Sequence, residues 1–166
     1  SELKLEKIHT NNITFMRNKN AKLDLELNIN TKDKIYDISK GDLTIEELLF
    51  NVRGKYNGQP DSARIDLNIK GKNIDLASAF TILPQEFTSS LSQYKAKGLV
   101  VFEANINGPI NNNQSPHTVA EFYLKDGSLE EQKSLVSMKN LSLDGIYDSD
   151  RNGISVLSIK DIHGTI

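Results

Sequence analysis

The chain has 166 residues, with 20 Lys and Arg set against 22 Asp and Glu, and it contains no cysteine. The near-balance of interspersed charges excludes nucleic-acid recognition by bulk charge. The missing thiols exclude a disulfide framework, a thiolate nucleophile and a Cys-type zinc site. One domain with a real core fits this length, and no apolar run approaches the roughly 20 residues of a membrane-spanning helix.

Taken in chain order, the dominant signal is alternation of period two, which marks strands with one apolar and one wet face. Leu3 with Leu5, and Ile13 with Phe15, give short versions of it. A longer one follows in Leu23, Leu25, Leu27 and Ile29, separated by Asp24, Glu26 and Asn28. The segments "NTKDK" (30–34) and "SKGD" (39–42) read as turns, then "LFNVRGKYN" (49–57) as a strand and "YNGQPDS" (56–62) as another turn. Ala63, Ile65, Leu67 and Ile69 resume the alternation.

Between 75 and 92 the period changes. Leu76, Phe80, Leu83, Phe87 and Leu91 recur at helical spacing, with Asp75 placed as N-cap and Pro84 suited to the first turn of a second short helix. Strand alternation then returns in Val100, Phe102, Ala104 and Ile106, in Ala120, Phe122 and Leu124, and in Leu141 and Leu143. "NGPINNNQSP" (107–116), "KDGS" (125–128) and "DSDRNG" (148–153) punctuate these runs as turns. In the last run the phase slips, with Ile154 and Val156 on one face and Leu157 and Ile159 on the other, and a bulge there re-aims the strand.

Strand after strand with short links predicts a mostly β chain: a curved antiparallel meander, groove-like or sandwich-like, with one short helical segment around 75–92. A repeat supports this. In "LLFNVRGKYNGQPDSARIDLNIKGK" (48–72), Phe50, Val52, Gly54 and Tyr56 align with Leu141, Leu143, Gly145 and Tyr147 of "LSLDGIYDSDRNGISVLSIKDI" (141–162). The copies stay in step to Ile69-Lys70 and Ile159-Lys160 with a gap of one residue. Repeated strand–turn–strand units bury a shared apolar face along a sheet. Residues 1–166 therefore read as a single β-rich domain. Ser1 opens in a strand-like pattern and "HGTI" stops within one, so the expectation is an excised piece of a longer protein.

Catalytic signals are weak. His9, His117 and His163 stand far apart in sequence, with no His-x-x-x-His or His-Glu pair to provide metal-ligand spacing. "DSDRNG" opens like a calcium loop, but Ile159 occupies the place of the closing bidentate Glu, and Asn, Asp and Gly are the residues a hairpin tip requires. The pairs Glu46-Glu47 and Glu130-Glu131 would point to opposite faces of a strand, not form a dyad. No nucleophile elbow or phosphate loop is present. The expectation is a protein that is not an enzyme and uses no cofactor or metal.

From Ala96 onward, "KGLVVFEANINGPI" (97–110), "AEFYLKDGSL" (120–129), "NLSLDGIYD" (140–148) and "LSIKDIHGTI" (157–166) follow one another in an order that resembles the AsmA-like C-terminal region of Gram-negative envelope proteins. The helical segment ending in "ILPQEF" (82–87) suits that family, and the first half follows it through "LFNVRGKYN". The resemblance implies a periplasmic β-rich body, a parent anchored in the inner membrane, and a part in outer-membrane biogenesis. It also implies kinship with bridge-like lipid-transfer proteins, whose curled sheets hold acyl chains, and it brings no catalytic residues. The implied partner is phospholipid, with envelope proteins beside it and no nucleic acid.

The residues themselves permit such a function. A sheet with one apolar face must cover it with a second layer, with its own curl, or with a ligand. The groove candidates are Leu23, Leu25, Leu27, Ile65, Leu67, Val100, Phe102 and Ile106. Two alternatives stand beside this: the same residues fill a closed sandwich core, or the chain is a β-sandwich binding or adhesion module that recognises carbohydrate or protein through its loops.

Overall fold

The computed structural model describes residues 2–5, 8–10, 13–15, 19–60, 62–82, 93–111, 114–131, 133, 136–150 and 154–165, with side chains from residue 19 onward. Eleven strands and one short helix occur in these segments. Three short strands come first: β1 (Glu2–Leu5), β2 (Ile8–Thr10) and β3 (Ile13–Phe15). Then come β4 (Lys19–Asn30), β5 (Ile35–Ile45), β6 (Leu48–Asn57) and β7 (Arg64–Asp75). Helix α1 (Leu76–Phe80) precedes β8 (Tyr94–Pro109), β9 (His117–Glu131), β10 (Ser137–Ser149) and β11 (Ser155–Thr165).

The main sheet has the order β1-β4-β5-β6-β7-β8-β9-β10-β11, and β2 pairs with β3 in a separate two-stranded sheet. From β4 to β11 spatial order equals chain order, and every pairing is antiparallel. This is the expected meander of repeated hairpins, and it is open: β1 and β11 are its two ends. The two sequence repeats are the hairpins β6–β7 and β10–β11.

Several expected turns lie inside strands. "SKGD" falls within β5, and "KDGS" within β9. At these places the ladder shifts register. Ile38 and Gly41 of β5 face Gly54 and Val52, so two residues of β5 oppose one of β6. In β7 Gly71 and Ile74 face Phe102 and Val100 in the same way. Such β-bulges bring residues three apart onto one face, where regular strands bring residues two apart. Four of the bulged sites share a sequence form, an apolar residue or glycine on either side of Lys-Asx: "GKNI" (71–74), "LKDG" (124–127), "MKNL" (138–141) and "IKDI" (159–162). Asn73, Asp126 and Asn140 have φ of 55°, 51° and 51°, left-handed values that Asn and Asp tolerate better than other side chains.

The phase slip of the last strand is also a bulge, but it lies elsewhere. Asp144 faces Asp161 and Gly145 faces Ile159, so Lys160 is the extra residue, whereas Val156 and Leu157 are ordinary neighbours facing Asp148 and Tyr147. The bulge turns Ile159 and Ile162 to the same face, which neither their spacing nor a regular strand would allow.

Helix α1 covers less of the expected range. Asp75 caps it, accepting from the Ser78 N–H and the Ser78 Oγ–H, both at 2.8 Å. It ends at Phe80 with Thr81 as C-cap, and Leu83, Phe87, Leu91 and the expected second helix at Pro84 lie outside the described residues. The core sits beneath this helix. Leu76 packs with Ala96, Leu124 and Leu141, and Ala79 and Ile82 lie against the adjoining cluster of Ile45, Leu48, Phe50 and Ile74. Burying such side chains contributes about 1.5–3 kcal/mol each, which pins α1 to one end of one face.

Candidate functional site

The registers define rows that cross the sheet from β4 to β11. One row reads Leu23, Leu43, Phe50, Gly71, Phe102, Phe122, Gly145, Ile159. The next reads Leu25, Gly41, Val52, Ile69, Ala104, Ala120, Tyr147, Leu157. The third reads Leu27, Ile38, Gly54, Leu67, Ile106, Thr118, Ser149, Ser155. Opposed residues of an antiparallel pair share a face, so these rows form one surface, and no charged residue occurs in any of them.

The opposite face is built from the intervening residues. Its rows run Asp24, Asp42, Asn51, Lys70, Glu103, Glu121 and Arg53, Asn68, Asn105, Val119, Asp148. Cross-strand polar pairs hold it: Asn51 donates to Asp42 at 2.7 Å, and Asn68 donates to Glu103 at 2.7 Å and to Asn105 at 2.8 Å. Lys70 reaches Glu103 at 3.0 Å. The Asn68 amide first, and the Lys70 ammonium after it, hold the Glu103 carboxyl below its ordinary range, against a small opposing effect of desolvation. Across these rows charge thus lies on one side of the sheet, with Lys19 and Glu131 the charged residues that register places at the margins of the other.

All eight groove candidates fall on the uncharged surface. Leu23 and Phe102 lie in the first row, Leu25 in the second, and Leu27, Leu67 and Ile106 in the third. Ile65 extends a fourth row with Ile29, Tyr36, Tyr56 and Gly108, and Val100 lies beyond the first row, facing Ile74 and Leu124. They differ in cover. Val100 and Phe102 pack against the core under α1 and are half-buried. Along β4, away from that core, exposure rises from buried Ala21 through half-buried Leu23 and Leu25 to Leu27 at 44% and Ile29 at 53%. Tyr36 and Tyr56, whose rings lie 5.9 Å apart, are exposed at the same end.

Reading by periodicity set Leu157 and Ile159 on one face of the last strand without joining them to this surface, and it missed Ile38 and Ile162. Ile38, Leu157, Ile159 and Ile162 reach it only through bulges or through the register of the neighbouring strand. For Ile159 and Ile162 the signal is the Lys-Asx pair between apolar residues, whereas Ile38 is followed by Ser-Lys-Gly and carries no such pair.

The polar candidates resolve into local partners. His117 Nε2 lies 2.8 Å from Asp148 Oδ1, and His163 Nε2 lies 3.0 Å from Asp161 Oδ2, both pairs exposed. His9 has no described side chain. In the "DSDRNG" segment the Ile154 N–H donates to Asp150 Oδ1 at 2.9 Å, closing the β10–β11 hairpin, and residues 151–153 lie outside the described ones. Glu46, with φ 53°, forms the two-residue β5–β6 turn with Glu47, and its carboxylate accepts from the Asn20 N–H at 2.9 Å. No group of three or more metal-ligating side chains occurs among the described residues, nor any helix long and apolar enough to cross a membrane. Comparison with protein-family models, curated protein sequences and solved structures finds no match to the chain.

Proposed function

We propose that this chain is a non-enzymatic segment of an AsmA-like envelope protein that holds phospholipid acyl chains on the uncharged face of its sheet. One observation carries the reading: three rows of side chains cross eight successive strands without a charge, and the end away from α1 is open to solvent at Leu27 and at Ile29 of the row beyond. Contiguous apolar surface left open to solvent is a common feature of binding surfaces in folded proteins. An acyl chain laid along the rows contributes about 0.8 kcal/mol per buried methylene, needs no hydrogen-bond partner, and gains nothing from the polar face behind it. The periplasmic setting, the inner-membrane anchor of the parent and a part in outer-membrane assembly rest on the resemblance to the AsmA-like region. Envelope proteins are the partners it suggests.

Native mass spectrometry of the chain purified without detergent tests this. Co-purifying phospholipid, lost on Leu27→Glu with an unchanged circular-dichroism spectrum, is the expected result. A lipid-free chain that also takes up no phospholipid from vesicles overturns it, and glycan binding sensitive to loop substitutions would establish the adhesion-module alternative instead.

A further inference from the structure

The third row of the uncharged face changes chemistry along its length. Over β4 to β8 it is apolar, with Leu27, Ile38, Gly54, Leu67 and Ile106, and over β9 to β11 it bears hydroxyls, on Thr118, Ser149 and Ser155. Tyr147 adds a fourth hydroxyl from the second row, its Oη 2.9 Å from Ser155 Oγ. Thr118, Tyr147 and Ser149 are half-buried and Ser155 is exposed, so the cluster is accessible. The Thr118 and Ser149 hydroxyls have no hydrogen-bond partner among the described residues. Their sequence neighbours His117 and Asp148 lie on the opposite face and hold each other at 2.8 Å, so neither brings a charge into the cluster. A hydroxyl donates readily to a carbonyl oxygen, but it has no charge to balance a phosphate or a carboxylate.

We infer, resting on the acyl-chain reading above, that this cluster holds the ester carbonyls of a glycerolipid whose chain runs along the third row toward β4. The lengths agree. Four interstrand spacings separate β4 from β8, together about 19 Å. An acyl chain in a bilayer leaflet spans about 15 Å, half the hydrocarbon thickness. Ile106 and Leu67 then meet the carbons nearest the ester, and the exposed Leu27 meets the chain end. Neutral donors select the ester linkage that diacyl lipids share and leave the headgroup in water. Affinity is therefore indifferent to headgroup charge.

Uptake from mixed vesicles tests this. Equal parts of dioleoylphosphatidylcholine and its dialkyl ether analogue, which lacks both carbonyls, are offered to the 166-residue chain, and native mass spectrometry reads the ratio bound. A preference of about fivefold or more for the ester lipid is expected, the worth of one or two hydrogen bonds. Thr118→Val with Ser149→Ala removes two donors and should bring the ratio to one with an unchanged circular-dichroism spectrum. Ser155→Ala, at an exposed position, lowers the ratio by itself should the pair fail to fold. Exchanging phosphatidylcholine for phosphatidylglycerol should change nothing. Equal binding of ester and ether lipid by the unaltered chain overturns the inference and leaves the acyl-chain reading standing. A preference that survives loss of the hydroxyls, or one that follows headgroup charge, has the same consequence. Uptake of neither lipid overturns both. Direction has its own reporter, because the chain contains no tryptophan and Leu27→Trp supplies a single fluorophore. Lipid brominated near the chain end should quench it more than lipid brominated near the ester. The opposite order, or equal quenching, overturns the assignment of the polar end to β9–β11.

Discussion

The rings of Phe50 and Phe102 meet edge to face, with centroids 5.6 Å apart and planes at 69°, although β6 and β8 are not neighbouring strands. They meet above β7, over Gly71, whose register places it between them. A Cβ built on Gly71 would lie 2.6 Å from Cε1 of Phe102, so the absent side chain is what admits the ring. Gly145 repeats the arrangement beneath Phe122, with 2.2 Å to the ring. Glycine weakens a strand by itself, and an aromatic ring from the next strand covers the gap and offsets that loss.

Gly71→Ala is therefore expected to destabilise the fold by about 1–3 kcal/mol, the usual cost of overpacking. Urea unfolding measures it. The cost should shrink in a Phe102→Leu background, because the two sites couple through direct contact, and equal costs in both backgrounds would show that the ring is not the cause.

The bulges make a second prediction. Asn140 has φ 51°, where a β-branched side chain is strained. Asn140→Val should cost about 1–2 kcal/mol through the left-handed backbone, whereas Asn140→Gly should be nearly neutral. Asn140 also donates to Thr165 Oγ1 at a long 3.4 Å, and Thr165 Oγ1 in turn donates to the Lys139 carbonyl at 3.2 Å, so a Thr165→Val control sets an upper bound on what the Asn140 bond contributes beside the backbone effect. Thermal midpoints of the variants rank them.

Charge placed on the uncharged face should divide it in two. Phe102 touches the core under α1, so Phe102→Glu buries an unpaired carboxylate and should unfold the chain or cost several kcal/mol. Leu27 is exposed, so Leu27→Glu should leave stability within about 0.5 kcal/mol. The same chemical change thus reports core at one site and open surface at the other. Circular dichroism with urea titration distinguishes them, and a Leu27 variant that unfolds would place that residue in the core.

Glu103 sets a pH dependence. Its folded pKa lies below the ordinary value because Asn68, and then Lys70, favour the charged form. A depressed carboxylate pKa contributes stability that is present above the unfolded pKa and is lost as pH falls through the folded one. The side chain is exposed at 44%, so solvent screening keeps the contribution small. Asn68→Ala should raise the Glu103 pKa toward its ordinary value, measured by side-chain carboxyl chemical shifts against pH, and an unmoved midpoint would reassign the shift to Lys70.

Much of the architecture is legible in residue order. Wherever apolar and polar residues alternate strictly, as in Leu23 to Ile29 or Val100 to Ile106, the strand and its inward face follow from the pleat. What misleads is Lys-Asp-Gly and Ser-Lys-Gly-Asp, whose residues favour turns and bulges for the same conformational reason. Whether "KDGS" reverses the chain or distorts a continuing strand is settled by Leu129 facing Ala96 on β8 and Met138 on β10, not by the four residues themselves.

By itself, then, the sequence determined the β class, the antiparallel meander and the separation of charged from uncharged sides, because these depend on local backbone preference and a period of two. Tertiary structure alone decided that the sheet is open rather than closed, that α1 covers one end of the uncharged face while Leu27 stays exposed, and that Ile159 and Ile162 share that face. Those facts depend on register between strands distant in sequence. A one-residue shift in register reverses which side chains meet the core, and no short stretch of sequence contains both partners of the ladder that sets it.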